Sequence, residues 1–221
     1  MNKNLQLKNK RLLICCLILC SQSLMAQTIE KWFVNMPDVL NPTLTKQNRM
    51  ELLEYHKAGQ GDSIANRFGH LAYIMSFDTL KNEITVKNTP SSLFEMKILN
   101  LEDSKHAIGI IRTVCALVCL SAIEFYDTAW NSIPIQFKMP KAIEWVDEKN
   151  IPADKIDTNW VKNLMKISFI TLKFSGENQL IIAKNSTLDF LSEEARKVIA
   201  PYISDKTITF ELKGRTWQHK Q

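Results

Sequence analysis

Two cysteines four residues apart are the most chemically specific feature of the chain beyond its first 26 residues. Cys115 and Cys119 enclose the segment Ala-Leu-Val. On a straight strand their Cα atoms would lie about 13 Å apart, at 3.3 Å per residue, far beyond the roughly 4.4–6.8 Å that is usual across a disulfide. A chain that folds back over residues 116–118 would bring the two sulfurs together. The spacing therefore predicts a disulfide across a tight hairpin, and two buried thiols or a metal or redox site remain the alternatives.

The other residue types that bind metals or cofactors form no recognisable motif. The four histidines are isolated in sequence, at His56, His70, His106 and His219. None belongs to a His-Glu-x-x-His or His-x-His pattern, so no metal ligand is predicted. The glycines at positions 59 and 61 begin like a dinucleotide-binding fingerprint, but isoleucine occupies position 64. No cofactor is predicted.

Catalytic groups are equally hard to find. The chain has no Gly-x-Ser-x-Gly elbow, and the adjacent carboxylates Asp147-Glu148 and Glu193-Glu194 would point in different directions on a helix or a strand. No catalytic residue is predicted, and whether the protein is an enzyme stays open, with a non-enzyme favoured. The alternative is a hydrolase whose site is assembled from distant residues such as His70, His106 and the carboxylates.

Two of the five tryptophans follow turn-forming segments, where binding residues often gather. Trp130 comes after Asp-Thr-Ala, and Trp217 comes after Gly-Arg-Thr. Their flat rings could contact a sugar or another protein. They are the two candidate contact aromatics of the sequence.

The elements that must position these residues begin with two helices. Ile29, Trp32, Phe33 and Met36 have helical spacing and lie before Pro37. A second helix is predicted over residues 46–58, with Thr45 as its N-cap and a glycine just past its end.

From about residue 70 the apolar period changes to two, which is typical of strands with one buried face. A hairpin is predicted around the turn at residues 176–178, a short helix after Ser192, and a last strand at residues 207–213. Short strands in close succession favour antiparallel pairing. The predicted class is α+β: a mainly antiparallel β-sheet with an N-terminal pair of helices and a short C-terminal helix before the last strand.

The first 26 residues have the pattern of a signal peptide. Basic residues precede the apolar run Leu12 to Leu19, and Ala26 precedes the expected cleavage site. The run is too short to cross a bilayer as a helix. We therefore predict a signal peptide at residues 1–26 and a single α+β domain at residues 27–221, exported to the periplasm or the outside of the cell, without a transmembrane segment. Lipid attachment at Cys20 is the minor alternative.

Removal of this leader would change the charge of the protein. The chain has 28 basic and 23 acidic residues, for a formal net charge of +5, but four basic residues and no acidic ones lie in residues 1–26. The remainder carries 24 basic and 23 acidic residues, a net charge of +1. Because these charges are also interspersed, nucleic acid is excluded as the predicted partner.

Several segments together resemble an uncharacterised domain-of-unknown-function family of exported proteins from Bacteroidales. The segments are Phe33-Val34-Asn35-Met36-Pro37-Asp38, Asn48-Arg49, Arg112-Thr113-Val114-Cys115, Phe125-Tyr126-Asp127-Thr128 and Leu188-Asp189-Phe190-Leu191. The resemblance covers nearly all of the chain after the leader. It implies export but no catalytic residue, because the family has no established activity.

These observations lead to a functional hypothesis. We expect a non-catalytic exported module of the cell envelope that binds an envelope protein or a glycan. The hydrolase is the first alternative. In a second alternative the protein is a structural subunit that docks the stripe of Ile29, Trp32, Phe33 and Met36 on a neighbour.

Overall fold

A computed structural model describes residues 28–102, 105–175 and 179–220. Within these ranges the chain forms four α-helices and ten strands. The helices are α1 (Ile29–Asn35), α2 (Lys46–Ala58), α3 (Thr158–Leu164) and α4 (Glu193–Ile199). The strands are β1 (Ser63–Ala65), β2 (Leu71–Asp78), β3 (Glu83–Thr89), β4 (Ser92–Asn100), β5 (His106–Cys115), β6 (Cys119–Tyr126), β7 (Ile170–Ser175), β8 (Leu180–Asn185), β9 (Ile208–Lys213) and β10 (Thr216–His219). The predicted signal peptide and the predicted turn at residues 176–178 lie outside the described residues.

The strands form two antiparallel sheets in which neighbours in sequence are neighbours in space. The larger sheet has the order β1-β2-β3-β4-β5-β6, and the smaller has the order β10-β9-β8-β7. The connections between paired strands are short, as expected for antiparallel pairs, except that residues 186–207, which include α4, join β8 to β9. The predicted α+β class with mainly antiparallel pairing is confirmed.

Helices α1 and α2 cover one face of the six-stranded sheet. Ile29, Trp32, Phe33 and Met36 are all buried in the core that this packing creates. The ring of Phe33 lies 6.3 Å from that of Phe94 on β4. The stripe therefore packs against the chain's own sheet, and no face of it remains free for the docking considered in the second alternative.

The bounds of α2 agree with the prediction because both ends carry strong local signals. The Thr45 hydroxyl accepts a hydrogen bond from the Asn48 amide, and the Asn48 side chain accepts one from the Thr45 amide. At the other end Gly59 adopts φ 63°, a left-handed conformation that glycine enters without steric penalty.

The four-stranded sheet covers part of the opposite face of the six-stranded sheet. Phe125, Leu172, Phe174 and Phe210 belong to the core between them. Gly109 on β5 makes the close approach possible, since a Cβ at that position would lie 2.7 Å from Cζ of Phe174. The second sheet therefore requires a glycine on the strand beneath it.

Three elements were not predicted from the sequence, namely α3, β1 and β10. Helix α3 has seven residues and begins after Asp157, whose side chain accepts a hydrogen bond from the Asn159 amide. Strand β10 has four residues and pairs with β9. Strands β1 and β10 are too short to display an alternation, and α3 buries a single residue, Val161, so it has no apolar stripe that the sequence could reveal.

The polar positions of β4 correct one expectation from the alternating pattern. Glu95 and Lys97 alternate with apolar residues and were expected to face solvent, but they are only 7% and 3% exposed. Lys97 Nζ lies 2.8 Å from Glu83 Oε2, and Glu95 Oε2 accepts a 3.1 Å hydrogen bond from the Phe174 amide. The contact of Glu95 with β7 and the ion pair of Lys97 with Glu83 thus bury a face of β4 that the sequence pattern predicts to be exposed to solvent.

Candidate functional site

One end of the six-stranded sheet gathers three of its turns, and we call it the hairpin end. It comprises residues 66–70 between β1 and β2, residues 90–91 between β3 and β4, and residues 116–118 between β5 and β6. The turns are tied together, because the Asn66 side chain donates to the Asn88 carbonyl at 2.7 Å and the Cys115 amide donates to the Ser91 carbonyl at 2.8 Å. The three turns therefore form one connected surface.

The hairpin end carries a concentration of exposed large apolar side chains. Leu117 is 87% exposed, and Val114 and Leu120 are exposed partners across the β5–β6 ladder. A 3₁₀ turn at Asp38–Leu40 lies beside β5 near this end, because the Leu40 carbonyl accepts hydrogen bonds from the Arg112 guanidinium at 2.9 and 3.1 Å. The exposed members of this apolar group are Val39, Phe68, Leu71, Val114, Leu117 and Leu120. Exposed large apolar side chains gathered at one end of a sheet mark a candidate interaction site.

The predicted cysteine pair lies within the hairpin end. Cys115 and Cys119 are the last paired positions of β5 and β6, so the chain does fold back over residues 116–118. Their sulfurs are 2.05 Å apart, at disulfide distance, and their Cα atoms are 4.0 Å apart. The bond would hold together the two strands that present Val114, Leu117 and Leu120.

A second feature is a cavity of about 260 Å³ between the two sheets, which we call the inter-sheet cavity. Side chains from β2, β3 and β4 and the turn before β3 form one wall, and residues of β7 and β8 form the other. The lining includes the charged or hydroxylated residues Ser76, Lys81, Glu83, Thr85, Glu95, Lys173 and Ser175.

Glu95 is the most perturbed group of the inter-sheet cavity. Burial raises the pKa of its carboxyl to about 7, against the lowering effects of the Phe174 amide and of Lys173, while Glu83 adds a small further increase. Among the described residues, no cation lies within ion-pair distance of Glu95. A buried carboxyl with a raised pKa in a cavity is a candidate functional group.

Trp217 lines a third feature, a cavity of about 250 Å³ next to β9 and β10. Its ring is 4% exposed and stacks on Phe125 at 6.2 Å, so most of the indole belongs to the core. Lys138, Glu144 and His219 lie at the same cavity. A role of Trp217 in ligand contact stays a prediction.

Trp130, the other candidate contact aromatic, is half-buried. It adopts φ 67° in the turn after β6, and its ring packs edge-on against Trp32 at 6.2 Å. It also contacts Tyr126, with ring centroids 6.1 Å apart. These contacts bury much of the Trp130 ring inside the protein. A contact of Trp130 with a partner likewise stays a prediction.

The structure does not bring His70 and His106 together. His70 belongs to the hairpin end, whereas His106 begins β5 at the opposite end of the sheet and contacts Asn100 at 3.0 Å. His56 lies 2.5 Å from Asp62 on the exposed surface, and His219 Nε2 is 3.8 Å from Glu144 Oε2. In the described part of the chain, no group of three or more His, Cys, Asp or Glu residues is arranged to hold a metal ion.

Together these features define an α+β protein in which a six-stranded antiparallel sheet lies between two helices and a smaller sheet. The chain belongs to the family described as "Protein of unknown function (DUF3256)", whose model matches residues 21–217. No curated protein matches the chain.

A solved structure shares this fold. It is described as "Structure of a domain of an uncharacterized protein from Porphyromonas gingivalis W83", and it is 18% identical in sequence. The match has a TM-score of 0.73 and covers 87% of this chain and 97% of that chain. At this level of identity the likeness concerns the fold alone.

Sequence reasoning missed most of the residues that build these sites. Phe68, Leu71 and Val114 look like ordinary apolar positions at strand ends, and only the topology shows that they share one end of the sheet. Glu95 looks like a solvent-facing residue of an alternating strand. The cysteine spacing was the single local signal that pointed to the hairpin end.

Proposed function

We propose that this protein is a non-catalytic, exported module of the cell envelope that binds another protein through its hairpin end. The observation that carries the proposal is the group of exposed apolar side chains at the hairpin end, which come from the 3₁₀ turn at residues 38–40 and from the β1–β2 and β5–β6 hairpins. Its members are mostly aliphatic, and aliphatic surface is best covered by the apolar surface of a partner protein. Sugar rings instead favour exposed aromatic platforms.

Export is supported by independent features of the sequence. Residues 1–26 have the order of a secretory leader, and the pairing of Cys115 with Cys119 suits an oxidising compartment. None of the helices within the described ranges is long and apolar enough to span a membrane.

The hydrolase alternative has less support. It requires a concave site in which a histidine contacts a carboxylate or a serine within hydrogen-bond reach. His219 and Glu144 share a cavity, but their nearest nitrogen and oxygen are 3.8 Å apart, beyond that reach. One carboxyl oxygen of Glu95 accepts a hydrogen bond from the backbone of β7, and this contact stabilises the packing of β7 on the larger sheet.

Photo-crosslinking in intact cells tests the proposed function. A photoreactive amino acid replaces Leu117 at the hairpin end or, as the control, Leu80, which is 94% exposed in the turn at the opposite end of the sheet. We expect one reproducible envelope protein to crosslink from position 117 and not from position 80. Mass spectrometry identifies that protein.

Binding of the purified partner completes the test. The double variant V114S/L120S should weaken binding at least about tenfold, because central apolar contacts dominate interface energies, whereas L80S should leave the affinity unchanged. Equal crosslinking from both positions, crosslinking only to a second copy of this chain, or unchanged affinity of V114S/L120S would each overturn the proposal.

A further inference from the structure

The inter-sheet cavity contains the buried carboxyl group of Glu95. Only one of its two oxygens has a hydrogen-bond partner among the described residues. Glu95 is more than nine-tenths buried, and its Oε2 accepts the Phe174 amide at 3.1 Å. Its Oε1 has no hydrogen-bond partner among the residues that the structure describes. Oε1 is not among the fully buried unpartnered atoms of the described residues, so it is accessible from the cavity and can form a hydrogen bond with a molecule bound there. Burial is also the main cause of the raised pKa of this carboxyl, and the Phe174 amide and Lys173 offset it only in part.

The charges around Glu95 largely compensate one another. Lys97 on β4 pairs with Glu83 on β3 at 2.8 Å, and Lys81 in the preceding turn lies 3.4 Å from Asp78 on β2. Lys173 on β7 is the remaining cation that acts on Glu95. A site of this kind has no strong net charge and does not select a highly charged ligand.

The remaining polar groups favour a ligand that both donates and accepts hydrogen bonds. Three hydroxyls line the cavity, those of Ser76, Thr85 and Ser175, and each can act in either role. Phe174 and Ile182 add apolar lining. The volume of about 260 Å³ is slightly below the usual range of small-molecule pockets, about 300–1,000 Å³, which suits a single ring.

We propose that the inter-sheet cavity binds one neutral sugar ring, with Oε1 of Glu95 forming a hydrogen bond with a sugar hydroxyl and the Thr85 hydroxyl forming a second contact. The carbon face of the ring packs against Phe174 and Ile182. This site is distinct from the hairpin end, so its failure leaves the proposed function standing.

Titration of the whole mature chain followed by amide NMR tests the proposal. The probes are glucose, mannose and N-acetylglucosamine, each added to about 50 mM, and serine as a zwitterion of similar hydrogen-bonding capacity. At least one sugar should shift the amide signals of the lining residues, with a dissociation constant on the order of 1–10 mM, as expected for a ligand of one ring. Serine should leave them unchanged.

A matched pair of variants separates binding from folding. T85V removes a lining hydroxyl while keeping the shape of the side chain, and it should weaken sugar binding about fivefold. T171V makes the same change on β7 outside the lining and should bind as the wild type does. The proposal is overturned if no sugar shifts the lining amides, if serine shifts them instead, or if T85V and T171V bind the sugar equally well.

Discussion

At the scale of single residues, the buried charged side chains of this protein are stabilised in different ways. Lys97 lies 2.8 Å from the carboxylate of Glu83, and Arg49 lies 3.0 Å from that of Asp38. Glu95 accepts a hydrogen bond from one backbone amide and has no cation within ion-pair distance among the described residues, and desolvation therefore raises the pKa of its carboxyl to about 7 despite the opposing effect of Lys173. Of these three buried residues, Glu95 is the one whose ionisation makes the free energy of unfolding depend on pH near neutrality.

The sign of this link follows from the direction of the pKa shift. The folded protein holds the Glu95 proton up to about pH 7, whereas the unfolded chain releases it near its ordinary value of 4.5. The stabilising contribution is complete below pH 4.5 and is lost as the pH rises to 7, by at most about 3 kcal/mol. Replacing Glu95 with glutamine keeps an acceptor for the Phe174 amide and removes the ionisation. Between pH 5 and pH 8, E95Q should therefore gain about 2–3 kcal/mol in unfolding free energy relative to wild type.

Urea denaturation followed by circular dichroism across that pH range measures the effect. The matched control is D154N, which changes an exposed carboxylate and should give a curve parallel to that of the wild type. If the curves of E95Q and wild type also run parallel, Glu95 does not titrate in this range and the assignment fails.

At the scale of elements, the junction of the two N-terminal helices depends on one buried arginine. Arg49 lies on α2 and is fully buried. Its guanidinium donates to the Leu44 carbonyl at 2.5 Å and to the Val34 carbonyl at 3.2 Å, and it also donates to the Met36 carbonyl. The last carbonyls of a helix have no partner within the helix. Arg49 therefore holds the end of α1 and the loop after it against α2.

Replacing Arg49 with methionine should cost about 3 kcal/mol of unfolding free energy. Methionine fills much of the same volume but leaves buried carbonyl groups without donors, and partial removal of a buried polar network is costly. Equilibrium unfolding in urea measures the loss. R67M, which alters an exposed arginine, should stay within about 0.5 kcal/mol of wild type. A loss for R49M no larger than that for R67M would contradict the role of this arginine.

At the scale of the whole molecule, the expected leader decides which chemical groups the working protein retains. Residues 1–26 contain four basic residues and three of the five cysteines, at positions 15, 16 and 20. Their removal leaves a nearly neutral protein with two cysteines, whose sulfurs lie 2.05 Å apart. A protein without spare thiols suits an oxidising compartment.

Expression of the full chain in a Gram-negative host tests this expectation. N-terminal sequencing of the exported protein should begin at Gln27, and its mass before reduction should be lower by two hydrogen atoms than its mass after reduction. A protein that begins with an acylated Cys20 would establish the lipid-anchored alternative. An uncleaved chain in the cytosol with two free thiols would contradict export.

The sequence by itself determined the features that depend on neighbouring residues. Thr45 and Gly59 define the ends of α2 because capping is a local interaction. The alternation of β4 and β9 predicts strands, and the short connections favour antiparallel pairs. The cysteine spacing identified the one tight turn that a disulfide could close.

The tertiary structure alone decided which surfaces are buried and which residues meet. Alternation indicates that a strand has two faces, but it does not indicate that β7 lies across the polar face of β4 and desolvates Glu95. Nor does it show that Val39, Phe68 and Leu117, far apart in sequence, are exposed at one end of the sheet. Both candidate sites arise from contacts between distant segments, and those contacts depend on the packing of whole sheets rather than on local preferences.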